Sequence, residues 1–323
     1  MASDIQIALV GLGHVASYQI AAIDLTEGVE LAAACDLDPD CAMQLPESVE
    51  FHSSFEKLLS AGQCDVVMIA APNREHYRLG RLAIDADKAL VLEKPAVESR
   101  RQFDDIVNAA TNSDVFLYVA MHAAFGAEVL WLTRQLESDS LNLGEIRGFQ
   151  SSFRDSYIAQ NRLTNGAASL GGSWMDSGVN ALSVLGNFIE LQDLHVSSSR
   201  MRASDGLNCS ETEGLVELES DTVRGNIHTS WLTGQNHKTT RLLFEQDEVL
   251  LDHSIQNAFK GAKESRQVVY SYDGPLHRLT NHYVGVFTDL VRQYSIGQGN
   301  ADIATPIHRI FFEADEVRQE LDQ

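Results

Sequence analysis

The segment that most constrains this chain is its start. Ile5–Val10 is a short apolar run of strand type, and Gly11-Leu-Gly13-His14-Val15-Ala16 follows at once, ahead of a helix-forming stretch. A second apolar run, Val29–Cys35, ends on Asp36. Two glycines after a strand permit a tight turn and a close backbone approach to a pyrophosphate. A small residue at Ala16 lets the helix pack on the strand, and the helix N-terminus offers its N–H groups to phosphate. The bare pattern also occurs as a plain structural turn. Its place between strand and helix, with an acidic residue ending the next strand, points instead to dinucleotide binding.

Asp36 bears on which dinucleotide. A carboxylate there accepts hydrogen bonds from ribose hydroxyls and repels a 2′-phosphate. Asp38 adds like charge, and no arginine lies nearby in sequence. NAD is therefore expected over NADP. The alternative for Asp36 is a turn cap ahead of Pro39.

The first 120 residues continue the alternation. Asp65–Ala70, Ala89–Glu93 and Val115–Ala120 read as buried strands, and Glu75–Asp87 and Arg100–Ala110 read as helices. Short apolar strands separated by helices predict a doubly wound parallel sheet. After Ala120 the pattern changes. Glu128–Glu137 reads as a helix and Glu145–Arg154 as a strand. A polar loop with Asn161, Asn165 and Gly166 leads to Gly171-Gly172 and a helix to Leu185. Strands then follow one another to Tyr272, Leu215–Glu219, Arg224–Trp231 and Thr240–Phe244 among them, and the helices Arg278–Ser295 and Ile307–Leu321 close the chain. Strands without intervening helices predict an α+β second domain. The expected fold class is α/β, with a Rossmann domain over 1–121 and an α+β domain over 122–323. Pro306 suits a first helical turn.

Ligands bind outside the carboxyl ends of strands in open α/β sheets. That rule marks Ala71-Pro72-Asn73, with His76 just beyond, and Glu93-Lys94-Pro95. Lys94 stands out because only six of the 24 basic residues are lysines. The bland readings are a surface lysine before a turn and an ordinary helix-start histidine. In the second domain, Trp174, Asp176 and Asn180 lie in one dense segment; Asp176 and Asn180, four apart, share a helix face. An aspartate favoured by the helix dipole, beside an unrelated asparagine, is the alternative.

Composition excludes more than it selects. Forty-six acidic residues against 24 basic ones leave a net charge of −22, which repels nucleic acid and anionic lipid. No apolar run approaches the roughly 20 residues of a membrane helix. The N-terminus has no basic signal region, so a cytoplasmic location is expected. Cys35, Cys41, Cys64 and Cys209 form no Cys-x-x-Cys pair, so a reducing compartment and no metal site are expected.

Taken together, these motifs resemble the Gfo/Idh/MocA oxidoreductases over nearly the whole chain. The resemblance implies a C-terminal domain with a large open sheet, used for a homodimer or homotetramer. It also implies Lys94 as a catalytic and substrate-contacting residue with Asp176 as its partner. Most members carry histidine where this chain has Asn180, and an amide cannot act as that base. A subgroup resembling L-arabinose and D-galactose 1-dehydrogenases carries asparagine, and Asp176-Ser-Gly-Val-Asn180-Ala-Leu-Ser is similar to it. Met121-His122-Ala-Ala-Phe125 and Trp231-Leu-Thr-Gly-Gln235 look like further elements of that subgroup. The implied function is oxidation of the C1 hydroxyl of an aldopyranose to a lactone. His122, Arg154, Trp174, Trp231 and His237 would line the sugar, although a core role serves Trp231 equally well. The competing expectations are an inositol or polyol dehydrogenase, a sugar reductase, and a non-catalytic nucleotide-binding regulator.

Overall fold

The computed structural model describes residues 4–160, 162–164 and 166–320; Asn161, Asn165 and Leu321 lie outside the described residues. Two compact units result. The first runs to His122 and takes in Leu279–Thr305, and the second comprises Ala123–Arg278 and the chain from Pro306 on.

In the first unit, β1 (Ile5–Val10), α1 (Ala16–Asp24), β2 (Val29–Cys35), β3 (Glu50–His52), α2 (Phe55–Ala61), β4 (Val66–Ile69), α3 (Asn73–Asp85), β5 (Ala89–Glu93), α4 (Arg100–Asn112) and β6 (Leu117–Ala120) alternate. The strands form one parallel sheet ordered β3-β2-β1-β4-β5-β6. Both faces are covered, and β4 and β6 are buried at every residue, which explains their unbroken apolar sequence. Strand order reverses between β1 and β4, the point where such sheets open a crevice. Local signals set the helix limits. Ser54 and Ser99 accept the N–H groups of Lys57 and Gln102, each at 3.4 Å, and Gly62 ends α2 at φ +69°. Burial pushes the Cys35 thiol up to about 11, so it behaves as a small apolar side chain.

The second unit begins with α5 (Ala127–Glu137) and β7 (Ile146–Arg154), followed by the small hairpin β8 (Ile158–Ala159) and β9 (Arg162–Leu163). Next come α6 (Ser173–Leu185), β10 (His195–Arg202), β11 (Glu213–Glu219), β12 (Arg224–Ser230), β13 (His237–Phe244), β14 (Glu248–Asp252), β15 (Asn257–Lys260) and β16 (Gln267–Ser271). Along the chain there follow α7 (Arg278–Ser295), which from Leu279 counts with the first unit, α8 (Ala301–Glu316), which counts with the second from Pro306, and β17 (Gln319–Glu320). Nine strands form a sheet ordered β16-β15-β14-β13-β7-β12-β11-β10-β17. It is mixed: β7 runs parallel to β12 and β10 to β17, and the other pairs are antiparallel. The helix α6, buried along nearly its whole length, packs on β7, β11 and β12.

Three expectations need correction. Leu279–Thr305 belongs to the first unit rather than to a domain spanning 122–323. The Asn300 side chain acts as a strand partner at the β6 edge, accepting from Val119 N at 2.7 Å and donating to Val119 O at 2.9 Å. Tyr118 adds a hydrogen bond to Asp289 at 2.8 Å. Pro306 lies inside α8, not at its start, because residues 301–305 are already helical. The same helix stops at Glu316, since Gln319 and Glu320 pair with Arg200 and Met201. Among the described residues no helix is long and apolar enough to cross a membrane.

Candidate functional site

The glycine turn is built against the exit of β4. Gly11 sits at φ +94°, and a Cβ there would lie 2.6 Å from Ala71 N and 2.7 Å from Ala70 C. Only glycine fits, for both reasons. Around Gly13, by contrast, nothing lies within 4 Å of a Cβ position, so packing within the chain does not account for the second glycine. That open space is the cradle a pyrophosphate requires. Val15 precedes α1 without any side-chain cap, and the first turn, beginning at the buried Ala16, carries no acidic residue. The helix end therefore suits an anion. His14 is exposed, with Tyr18 edge-on at 6.5 Å. Asp36 closes the turn: its carboxylate accepts from Leu12 N at 2.7 Å and from Asp38 N at 2.9 Å. These residues fit a dinucleotide.

At the exits of β4 and β5, two residues expected near the cofactor are tied into the chain itself. His76 is buried, with Nε2 2.8 Å from Ala71 O and Nδ1 3.0 Å from Pro95 O. It sits between the Ala71-Pro72-Asn73 loop and the Lys94-Pro95 turn; burial pushes its pKa down, and the neutral ring donates to one of the two carbonyls. Glu93 is 6% exposed, and both of its oxygens are engaged by groups of the chain itself. One oxygen accepts from Tyr283 Oη at 2.6 Å and Gln19 Nε2 at 2.8 Å, and the other accepts from Lys94 N at 3.1 Å. Burial pushes its carboxyl up, against the pull of Tyr283 and Lys94. The network holds the peptide of half-buried Lys94, and the Lys94-Pro95 bond is cis. His122 is also part of the first unit, with Nδ1 3.3 Å from Nδ1 of His282 and its ring 5.5 Å from Tyr283.

In the second unit, α6 presents a buried polar face. Asp176 and Asn180 are 5% and 6% exposed. Asn180 Nδ2 donates to Asp176 O at 3.3 Å, while Oδ1 has no partner among the described residues. The helix start is held by Glu211, which accepts from Trp174 N at 2.9 Å and Met175 N at 3.4 Å. A Cβ on Gly172 would lie 2.1 Å from that carboxylate, so Gly172 makes room for the cap. Trp174 is a core residue rather than a sugar contact, since its indole N–H donates to Phe311 O at 3.1 Å and its ring stacks on Phe311. Trp231 is 1% exposed and stands edge-on behind Tyr157, ring centroids 5.4 Å apart. Arg154 and His237 do come together, Nη2 to Nδ1 at 2.9 Å.

Sequence reasoning does not find Asp155, Tyr157, Ser177 or Lys238. Lys238 Nζ lies 2.6 Å from Asp155 Oδ1, and Ser177 Oγ donates to Asp155 Oδ2 at 3.1 Å. Burial, with the carboxylates of Asp176 and Asp155, pushes the Tyr157 phenol far up and keeps it a donor. The scarcity of lysine that singles out Lys94 is also the signal that marks Lys238.

Residues 5–121 match the family described as an oxidoreductase family with an NAD-binding Rossmann fold. This is the Gfo/Idh/MocA family. The Gfo/Idh/MocA match covers every element from β1 to β6. Curated relatives include the trans-1,2-dihydrobenzene-1,2-diol dehydrogenase of Danio rerio, 27% identical over 128 residues, which is 40% of this chain and 37% of that protein. The D-glucoside 3-dehydrogenase of Escherichia coli is 26% identical over 184 residues, 56% of this chain and 52% of that one. The chain thus spans about half or less of these relatives' lengths. Among solved structures, levoglucosan dehydrogenase in complex with NADH and levoglucosan aligns with a TM-score of 0.83 at 12% identity, covering 98% of this chain and 96% of that chain. An oxidoreductase from Agrobacterium radiobacter in complex with NAD+, L-tartaric acid and magnesium aligns at 0.79 and 18%, covering 97% of each chain. A 3-ketoreductase from Actinomadura kijaniata in complex with NADP aligns at 0.81 and 16%, covering 99% of each. At these identities the likeness is one of fold.

Proposed function

We propose that this chain is an NAD-dependent sugar dehydrogenase that oxidises the C1 hydroxyl of an aldopyranose to the lactone. The observation that carries the reading is the α6 face, where a buried carboxylate, Asp176, precedes by four residues an asparagine whose buried Oδ1 has no partner among the described residues. A buried unpaired acceptor costs about 1–3 kcal/mol, and a polyhydroxyl ligand would supply the missing donor. Sugar-acting relatives and neighbours, the D-glucoside 3-dehydrogenase and levoglucosan dehydrogenase among them, support the same class.

The open Gly11–Ala16 turn, the start of α1 and the loops at Ala71–Asn73 and Lys94 would hold the dinucleotide, with Asp36 taking the ribose hydroxyls. Asp36 and Asp38 disfavour a 2′-phosphate, hence NAD over NADP. Bound nicotinamide supplies the acceptor for the hydride from C1. Lys94 donates a hydrogen bond to the C1 oxygen and stabilises it as negative charge develops. Asp176 takes the hydroxyl proton, so products balance as lactone, reduced nucleotide and one proton. Asn180 orients the sugar by accepting from a second hydroxyl, and Arg154 with His237 offers further donors. The nine-stranded sheet serves as the face of a homodimer or homotetramer, which light scattering checks.

Nucleotide reduction followed at 340 nm with a panel of aldoses, polyols and inositols tests the reading. Turnover of an aldose with NAD and formation of a lactone support it. Activity confined to inositols overturns the substrate class, and nucleotide binding without any turnover favours a regulatory protein instead.

A further inference from the structure

Asp155 follows β7 and is held on both sides. Its backbone N–H donates to Ser230 O at 2.9 Å, and its carboxylate, 3% exposed, meets the Lys238 ammonium at 2.6 Å. Lys238 is itself fixed within β13: its N–H donates to Ser254 Oγ at 2.8 Å and its carbonyl accepts from His253 N at 2.8 Å. The other oxygen of Asp155 accepts from Ser177 Oγ at 3.1 Å, and the same hydroxyl lies 3.4 Å from Asp176 Oδ2.

A serine hydroxyl has one proton and two acceptor lone pairs. Two carboxylates flank Ser177, and the shorter contact gives its proton to Asp155. A lone pair of Ser177 is then what faces Asp176, so a full hydrogen bond between them forms once Asp176 carries a proton. We propose that Lys238, Asp155 and Ser177 form a positioning chain for Asp176, with Ser177 as the link and Lys238 as the counter-charge of the buried Asp155. The chain fixes the rotamer of Asp176 and receives its O–H after the substrate proton arrives. This rests on the role proposed above for Asp176.

The competing account is a bolt that merely fastens α6 to the sheet. Breaking a buried ion pair by removing one partner costs about 3–5 kcal/mol, so Lys238 alone does not separate the two. Ser177→Ala does, because it removes the link and no charge. In the full-length protein with NAD and the aldose it turns over, Ser177→Ala is expected to lower kcat about tenfold, equivalent to about 1.4 kcal/mol of transition-state stabilisation. KM for sugar and nucleotide stay near those of the parent, while the melting temperature falls, because a buried oxygen of Asp155 loses its donor. Lys238→Met lowers kcat likewise and Lys238→Arg restores most of it. In an Asp176→Asn background, Ser177→Ala has no further effect on kcat. A parent-like kcat in Ser177→Ala, or a Lys238→Met protein that melts earlier with kcat intact, overturns the positioning chain. Absence of turnover in the parent, or an Asp176→Asn protein as active as the parent, overturns the dehydrogenase reading instead.

Discussion

The two units hold their candidate polar groups in different ways. In the first, the candidate residues sit at consecutive strand ends, and each motif is a contiguous run of a few residues braced by backbone atoms: Gly11 against Ala71, Asp36 on Leu12 N, His76 between two carbonyls. In the second, one helix face is held by side chains from loops at the ends of distant strands. Ser177 reaches Asp155 across 22 residues and Glu211 reaches Trp174 N across 37. A parallel sheet concentrates function at its strand ends; a mixed sheet under a helix distributes it.

Lys94→Ala tests that contrast most severely. If the first unit supplies the charge that stabilises the reacting oxygen, turnover falls about 10²–10³-fold, while NAD affinity measured by calorimetry falls far less, since the turn at Gly11 and the backbone at 94 are untouched. A variant that keeps its kcat would move the chemistry wholly to the second unit.

The contrast also explains what could be read from the sequence. The six-stranded sheet, the glycine turn and the lysine at the end of β5 are legible because period, turn chemistry and strand-end position are local properties. The short β3 gives almost no hydrophobic signal in three residues. Asp155, Ser177 and Lys238 become a group only through β7–β13 pairing and the seating of α6, neither of which local pattern encodes. Glu93 and His76 are legible as members of motifs, but their bond partners are not. A residue beside a binding motif can brace it from inside, and only burial and bond partners tell the two apart. Trp174 and Trp231 illustrate the same limit for aromatic residues, whose apolar area serves core and ligand alike.

Tyr283→Phe sharpens the brace within the first unit. Its hydroxyl donates at 2.6 Å to a carboxyl that is 6% exposed, and losing a hydrogen bond to such a group costs about 1.5–3 kcal/mol. The denaturant midpoint should fall accordingly, with unchanged slope, and kcat should fall as well because the Lys94 peptide hangs on Glu93. Loss of stability with an unaltered kcat would reduce Glu93 to a core residue.

Asp36→Ser addresses the turn with a smaller effect. Removing the carboxylate lifts the repulsion of a 2′-phosphate, so the ratio of kcat/KM for NAD over NADP should fall about tenfold, roughly 1.4 kcal/mol. An unchanged ratio would make Asp36 a turn cap on Leu12 and Asp38 alone, and nucleotide choice would then lie elsewhere in the first unit.

The smallest effect separates the two buried titratable braces by sign. Burial lowers the pKa of His76, so below an unfolded value of about 6.5 the unfolded chain binds the extra proton first. The stability His76 contributes is complete above that pH and is lost as pH falls through its folded value. Burial raises Glu93, so its contribution is complete below an unfolded value of about 4.3 and is lost as pH rises through the folded one. Denaturation midpoints from pH 4 to pH 8 should therefore show the parent losing ground to His76→Asn on the acid side and to Glu93→Gln on the neutral side. Matching pH slopes for His76→Asn and the parent would mean the imidazole titrates freely, and the tie between the Ala71 and Pro95 carbonyls would carry no weight in holding Lys94.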